Sequence, residues 1–307
     1  MTFDVAIFGA TGFTGQLMYE YLAETYGDTG LKIGLAGRKF EKLEFVHGAH
    51  TPNVPPEIVV ADADDEEALM GLAQISRVVI AAAGPYTYYG AKLASACAKA
   101  GTDYVDLCGE SNFIRASIEA NSDAAARSGA RIVHSCGFDS VPSDLGVYHL
   151  QALGRLRFGE PFARVKGRVE ALEGRPSGGT VASIMASVKE AQKDPTVGAQ
   201  MINPFALAPG FEGPAQPNGN VPAYDEDLGT WAAPFIMAAI NTKNIHRTNH
   251  LLNQSYGTEF AYDEMEVTGS GEVGKARALA LAAPASSMLA GGARPTPGEG
   301  PSREERE

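Results

Sequence analysis

Three glycines spaced three apart, Gly9, Gly12 and Gly15, carry the strongest chemical signal in the chain. Gly9 permits a sharp turn at positive φ. Gly12 lacks a Cβ, so a pyrophosphate can approach the backbone. Gly15 lets a following helix pack close on the strand before it. Upstream, Val5-Ala6-Ile7-Phe8 is a short apolar run suited to a buried parallel strand. Downstream, Gln16 to Tyr26 carries Leu17, Tyr21 and Leu22 at helical spacing. A strand, a glycine turn and a helix start together offer phosphates free N–H groups and the positive end of the helix dipole. A tight turn holding no ligand is the alternative; the strand–helix context favours the phosphate reading. The spacing is GxxGxxG and not GxGxxG, so the type of dinucleotide rests on residues further along.

The second strand, Leu31 to Ala36, runs into Gly37-Arg38-Lys39. A carboxylate at this point selects the ribose 2′-OH of NAD, whereas an arginine pairs with the 2′-phosphate of NADP. Arg38 with Lys39 beside it, and no carboxylate before Glu41, favours NADP(H). A solvated basic pair is the bland alternative. The third strand, Glu57 to Ala61, ends at Asp62, which suits either the adenine side of a nucleotide or, with Asp64, the cap of a helix over Asp65 to Ala73.

The remaining chemistry gathers at later strand ends. Arg77 to Ala82 ends in Ala83-Gly84-Pro85-Tyr86. In a doubly wound sheet this end lies beside the first strand, where the nicotinamide arm runs. Gly84 allows close approach and Pro85 stiffens the turn. Tyr86, Asp106, Cys108, Glu110, Cys136, Asp139 and Ser140 are candidate donors. Tyr86, Glu110 and Asp139 are the expected catalytic set. A neutral phenol can give a proton or stabilise an oxyanion, and a carboxyl can act as acid or base. The competing roles are a hydrogen-bonded wall for Tyr86 and helix caps for the two acids. His134, inside a strand, reads as a core histidine. Neither cysteine has a histidine at a telling position, and no GxSxG or metal-ligand cluster is present.

Strands over Asp103 to Leu107 and Ala130 to His134, with intervening helices, continue the alternation that marks a parallel α/β sheet. Beyond Gly154 the pattern changes. Val165, Val169 and Ala171 alternate with Lys166, Arg168 and Glu170, as in a half-buried strand of an antiparallel sheet. Ser177-Gly178-Gly179-Thr180 precedes a helix over Val181 to Gln192. Residues 194–230 read as a long loop or lid, Trp231 to Tyr256 as largely helical, and Glu259 to Thr268 as a strand. The expected division is residues 1–140, 141–290 with an α+β character, and a linker or tail over 291–307.

At 307 residues, 44% hydrophobic and 20% charged, the chain can bury a sizeable core. A net charge of −12 argues against nucleic acid as a partner. Three cysteines without metal or redox spacing suggest reduced thiols in a cytoplasm. With the first strand expected to start at Phe3, directly after Met1-Thr2, a secretory leader is not expected. The apolar run Ala278 to Ala293 is too short to span a bilayer and contains Pro284. A peripheral lipid contact and a homodimer stand as further expectations.

Several motifs together resemble one family. GATGFTG at Gly9 to Gly15, AGR at Ala36 to Arg38, AAAGPY at Ala81 to Tyr86 and YVDLCGE at Tyr104 to Glu110 are similar to the saccharopine dehydrogenase-like oxidoreductases. CGFDSVPSDLG at Cys136 to Gly146 resembles the loop entering that family's second domain. The nearest branch is the actinobacterial trans-acting enoyl reductases, which serve a modular polyketide synthase in lipid synthesis. The resemblance implies a Rossmann-type parallel sheet plus a second α+β domain with an antiparallel sheet, and NADPH as cofactor. It carries Gly9, Thr11, Gly12, Phe13, Gly15 and Arg38 over as cofactor positions, and Ala83, Gly84, Pro85 and Tyr86 as residues near the nicotinamide. It implies that relatives continue past PGEGPS with more strand. The expected activity is NADPH-dependent reduction of an enoyl bond in an acyl or polyketide chain, free or on a carrier. A saccharopine-type C=N reductase is one alternative, with Arg168, Arg175 and Arg247 as candidate cations for substrate carboxylates. A non-catalytic NADP(H)-binding module is the other.

Overall fold

A computed structural model describes residues 2–172, 177–282, 299–302 and 304. The chain divides into two compact units. The first comprises Met1–Gly137, Arg175–Asp194 and Pro295–Glu307; the second comprises Phe138–Gly174 and Pro195–Arg294.

The first unit alternates strand and helix: β1 (Phe3–Phe8), α1 (Phe13–Tyr26), β2 (Ile33–Gly37), α2 (Phe40–His47), β3 (Glu57–Val60), α3 (Glu66–Ile75), β4 (Ser76–Ala81), α4 (Tyr86–Tyr89), α5 (Ala91–Ala100), β5 (Asp103–Asp106), α6 (Ser111–Ser128) and β6 (Ile132–Val133). All six strands run parallel in the order β3-β2-β1-β4-β5-β6. This is the doubly wound order, and its reversal between β1 and β4 creates the crevice where such sheets take ligands. Ala6, Ile7, Leu35, Ala36 and Val79 are fully buried, which is why these strands read as continuous apolar runs. Ile7, Tyr19, Leu35, Leu43 and Val46 join α1 and α2 to the sheet in one core. The cap of α3 is Asp65, which accepts from the N–H groups of Glu67 and Ala68. It is not the Asp62-Asp64 pair, so Asp62 is released from that role.

The rest of the chain forms α7 (Val141–Phe158), β7 (Arg164–Val169), α8 (Gly178–Lys193), α9 (Pro195–Ile202), β8 (Ala223–Asp225), β9 (Thr230–Pro234), α10 (Ala238–Leu251), β10 (Ala261–Gly269) and α11 (Gly271–Leu281). Of these α8 belongs to the first unit and the others to the second. The second sheet has the order β7-β10-β9-β8. Its β10–β9 and β9–β8 pairs are antiparallel, but β7 pairs parallel with β10. The sheet is therefore mixed where an antiparallel one was expected. Alternation along β7 reports one half-buried face and says nothing of a partner's direction. Tyr262 of β10, Val165 of β7 and Ile245 of α10 pack with Val147, Tyr256 and Phe260 in this unit's core.

Two further expectations give way. The stretch read as loop over 194–230 holds α9 and β8. The helix read from Trp231 begins as strand β9 and turns helical only at Ala238. Ala232 and Ala233 are buried by pairing with Val267 and Glu266 of β10, so tertiary pairing overrides alanine's helical preference. No helix among the described residues is long and apolar enough to cross a membrane. Most of the apolar run Ala278 to Ala293 and of the expected linker lies outside the described residues.

Candidate functional site

At the carboxyl end of β1 the chain turns at Gly9, whose φ of 88° is left-handed. A Cβ there would lie 2.9 Å from the Ala83 nitrogen and 3.0 Å from the Ala82 carbonyl carbon. The first strand end can thus abut the fourth only without a side chain. At Gly15 a Cβ would collide with the Gly9 carbonyl oxygen and stand 2.8 Å from the Ala10 Cα. Gly12 differs. A Cβ there would find a single atom within 4 Å, the Gly9 oxygen at 3.4 Å. Nothing among the described residues crowds Gly12, so its lack of a side chain leaves room there for a ligand. Gly12 also starts α1 in extended conformation with no side-chain cap, and the first turn carries no acid. Helix donors and an open backbone face are what a pyrophosphate requires. Gln16 Nε2 donates to the Thr11 carbonyl at 3.0 Å and fixes the loop between.

Arg38 follows β2 and is exposed, and it makes no ion pair with any described residue. Its guanidinium is therefore available to a phosphate. Asp62, beyond β3, is exposed, and its Oδ1 accepts from the Asp64 N–H at 2.9 Å. Phe13, the first residue of α1, packs its ring against Gly300.

The β4 end builds the other side of the crevice. Ala83, Gly84 and Pro85 are half-buried, and the Gly84–Pro85 peptide is cis. Tyr86 is 5% exposed; its hydroxyl donates to the Ala81 carbonyl at 2.8 Å. Burial, and after it the Asp106 charge, push its phenol well above the ordinary value. A phenol committed in this way is a wall and pin of the turn, not a free proton donor. Glu110 is 2% exposed. Its Oε1 accepts from the Tyr86 N–H at 2.8 Å; its Oε2 accepts from the Thr87 N–H at 2.8 Å and the Thr87 hydroxyl at 2.5 Å. Tyr88 and Tyr89, by contrast, are exposed.

Behind this turn lies a buried relay that the sequence does not reveal as a unit. Asp106 Oδ2 meets His134 Nδ1 at 2.6 Å, and His134 Nε2 meets Ser117 Oγ at 3.0 Å. A carboxylate only accepts, so a neutral His134 carries its proton on Nδ1 and accepts from Ser117. Tyr104 donates to the same Asp106 oxygen at 3.0 Å, while Oδ1 accepts from the N–H groups of Cys108 and Ser135. The Ser117–His134–Asp106 order is that of a hydrolytic triad, but Ser117 is 5% exposed and inside α6. The relay therefore ties β5, β6 and α6 together. Burial pushes the Cys108 thiol well up, and its sulfur accepts from the Glu110 N–H, which removes it as a nucleophile.

Tyr86 and Glu110 thus come together in the first unit, whereas Asp139 belongs to the second. Asp139 is exposed, with only partial desolvation raising its carboxyl, and its backbone carbonyl accepts from Asn241 Nδ2 at 2.8 Å. In that second unit Arg168 is bound to Asp225 and Asp263, both at 2.8 Å, and Arg247 donates to the Leu207 carbonyl at 2.9 Å. Arg168 is thus held by two carboxylates, whereas Arg247 spends one donor on a neutral carbonyl. Arg175 lies outside the described residues.

Residues 5–133 match the family model described as the saccharopine dehydrogenase NADP binding domain. A Mycobacterium tuberculosis protein, provisionally named a trans-acting enoyl reductase, is 42% identical over 277 residues, covering 87% of this chain and 66% of that protein. The trans-acting enoyl reductase of Mycobacterium leprae is 36% identical over 303 residues, covering 95% of this chain and 70% of its own length. Among solved structures, saccharopine dehydrogenase from Saccharomyces cerevisiae aligns with a TM-score of 0.41 at 18% identity, over 57% of this chain and 36% of that one. The chain spans about two thirds of the length of the first of these relatives.

Proposed function

This chain belongs to the trans-acting enoyl reductase family, and from that premise we propose that it is an NADPH-dependent reductase of an enoyl bond. The observation that carries the reading is the unfilled space at Gly12 beside an uncapped helix start, with Arg38 free at the next strand end. These residues fit a dinucleotide. The backbone from Gly9 to Gly15 would hold the pyrophosphate, and Arg38 the 2′-phosphate. Asp62 would face the adenine side, and Ala83 to Pro85 the nicotinamide edge. Bound NADPH supplies a hydride to the electrophilic carbon of the enoyl group.

The chain's own residues then have limited tasks. The β4 turn must hold a flat edge, and the crevice must orient an acyl thioester. The proton needed at the α-carbon requires an acid. Asp139 stays a proposed donor on its chemistry alone: it is an exposed carboxyl whose partial desolvation shifts it upward, toward the protonated form. We further propose that the acyl chain is presented by a polyketide synthase, which is how an enzyme named for acting in trans would meet its substrate. A C=N reductase gains no support from Arg168, which Asp225 and Asp263 already hold.

The test is NADPH oxidation by purified protein with a trans-2-enoyl thioester, on coenzyme A and on a carrier protein. Consumption with formation of the saturated thioester supports the reading. NADPH binding without consumption on either thioester supports a non-catalytic module instead. Asp139→Asn is expected to abolish reduction while leaving nucleotide affinity unchanged.

A further inference from the structure

We infer that Glu110 is the positioning residue of the nicotinamide edge, setting where Ala83–Pro85 stands, and takes no part as an acid. The inference rests on the dinucleotide reading above.

The turn after β4 is held at both ends. On its first side Ala82 donates its N–H to the Phe8 carbonyl, and Ala83 lies against Gly9 closely enough that no Cβ fits between. On its far side Pro85 offers no side-chain cap to α4. The first two N–H groups of that helix, from Tyr86 and Thr87, go to the two oxygens of Glu110. The Thr87 hydroxyl, oriented by Asn112 Nδ2 at 3.1 Å, gives its hydrogen to Oε2. Three donors converge on one carboxylate, and only a group accepting through both oxygens satisfies them. At 2% exposure Glu110 has no open face toward the crevice. Its backbone is itself anchored. Its N–H goes to Cys108 Sγ, the Cys108 N–H goes to Asp106, and its carbonyl accepts from Ile114 in the first turn of α6. The Ser117–His134–Asp106 relay therefore ends, through Glu110, on the turn that would meet the nicotinamide. An acid at Glu110 would have to give up its grip on that turn to donate.

Three ligands and two variants test this. NADPH carries both ends of the cofactor, and adenosine 2′,5′-bisphosphate carries the adenine and 2′-phosphate but no nicotinamide. An enoyl thioester reports turnover. For E110Q, whose amide turns a donor toward donors, NADPH affinity is expected to fall about tenfold while the bisphosphate stays within about twofold. T87V, which removes one of the three donors, is expected to show the same selective loss at about threefold. The kcat of both variants should drop with the shape of its pH profile unchanged. Equal weakening of both nucleotides would make Glu110 a general fold contact and overturn the inference. So would unchanged NADPH affinity, or a kcat profile that loses its acid limb. Wild-type protein that binds neither nucleotide defeats the dinucleotide reading before any variant is examined, and this inference falls with it.

Discussion

The two turns that face each other across the switch point are positioned by opposite means. The Gly9–Gly15 turn owes its shape to missing atoms. Gly9 and Gly15 are places where a Cβ would strike the backbone, and Gly12 is the one place where the space is left open. The Ala83–Thr87 turn owes its shape to a charged side chain brought from 24 residues away, Glu110. The first is a local device, complete within one strand–turn–helix. The second depends on β5, α6 and a buried relay behind them. A cofactor crevice of this kind is as rigid as the less local of its two walls.

Changes that exploit this contrast should fall in a definite order. Gly15→Ala forces a Cβ into the Gly9 carbonyl, and a stability loss of about 3 kcal/mol is expected from urea unfolding. A neutral result there would break the claim that the first turn is set by close packing. Acid gives a comparable effect that involves neither turn. His246 of α10 is 2% exposed, and burial lowers it from 6.5 to about 4. The unfolded chain takes up this proton below about pH 6.5 and the folded chain only near pH 4. Stability should thus fall by about 3 kcal/mol across that window, and His246→Gln should flatten the slope. Glu110→Ala leaves the buried Tyr86 N–H and the half-buried Thr87 N–H and hydroxyl without their acceptor, at a cost of about 2 kcal/mol in thermal or urea unfolding. Gly12→Ala is the smallest in stability, below about 0.5 kcal/mol, because its Cβ meets almost nothing. Its NADPH affinity should nevertheless drop about tenfold, since the added methyl group occupies the open space. Stability loss at Gly12 equal to that at Gly15 would erase the distinction between a packing glycine and a ligand glycine.

Much of the first turn was legible because its signals are consecutive: apolar run, glycines, helical spacing, then Arg38 after the second strand. The parallel sheet followed from strand–helix alternation for the same reason. The second turn was legible only in part. Tyr86 and Glu110 could be marked as polar groups at strand ends, but not as partners. Whether a carboxylate faces a ligand or a backbone N–H is decided by residues far off in sequence. The Tyr86 phenol illustrates this, since its bond to Ala81 is fixed by how the turn folds back. In the second unit, alternation along Val165 to Ala171 revealed a strand but not its parallel partner β10. Trp231-Ala232-Ala233 hid a strand, because a buried small residue leaves no periodic trace.

The most direct test of the account is to titrate the protein with NADPH and with NADH, following nicotinamide fluorescence, for wild type and Arg38→Ala. The account predicts tighter binding of NADPH, a loss of about tenfold in NADPH affinity on removing Arg38, and unchanged NADH affinity. Binding of neither nucleotide, or an NADPH affinity indifferent to Arg38, would contradict it.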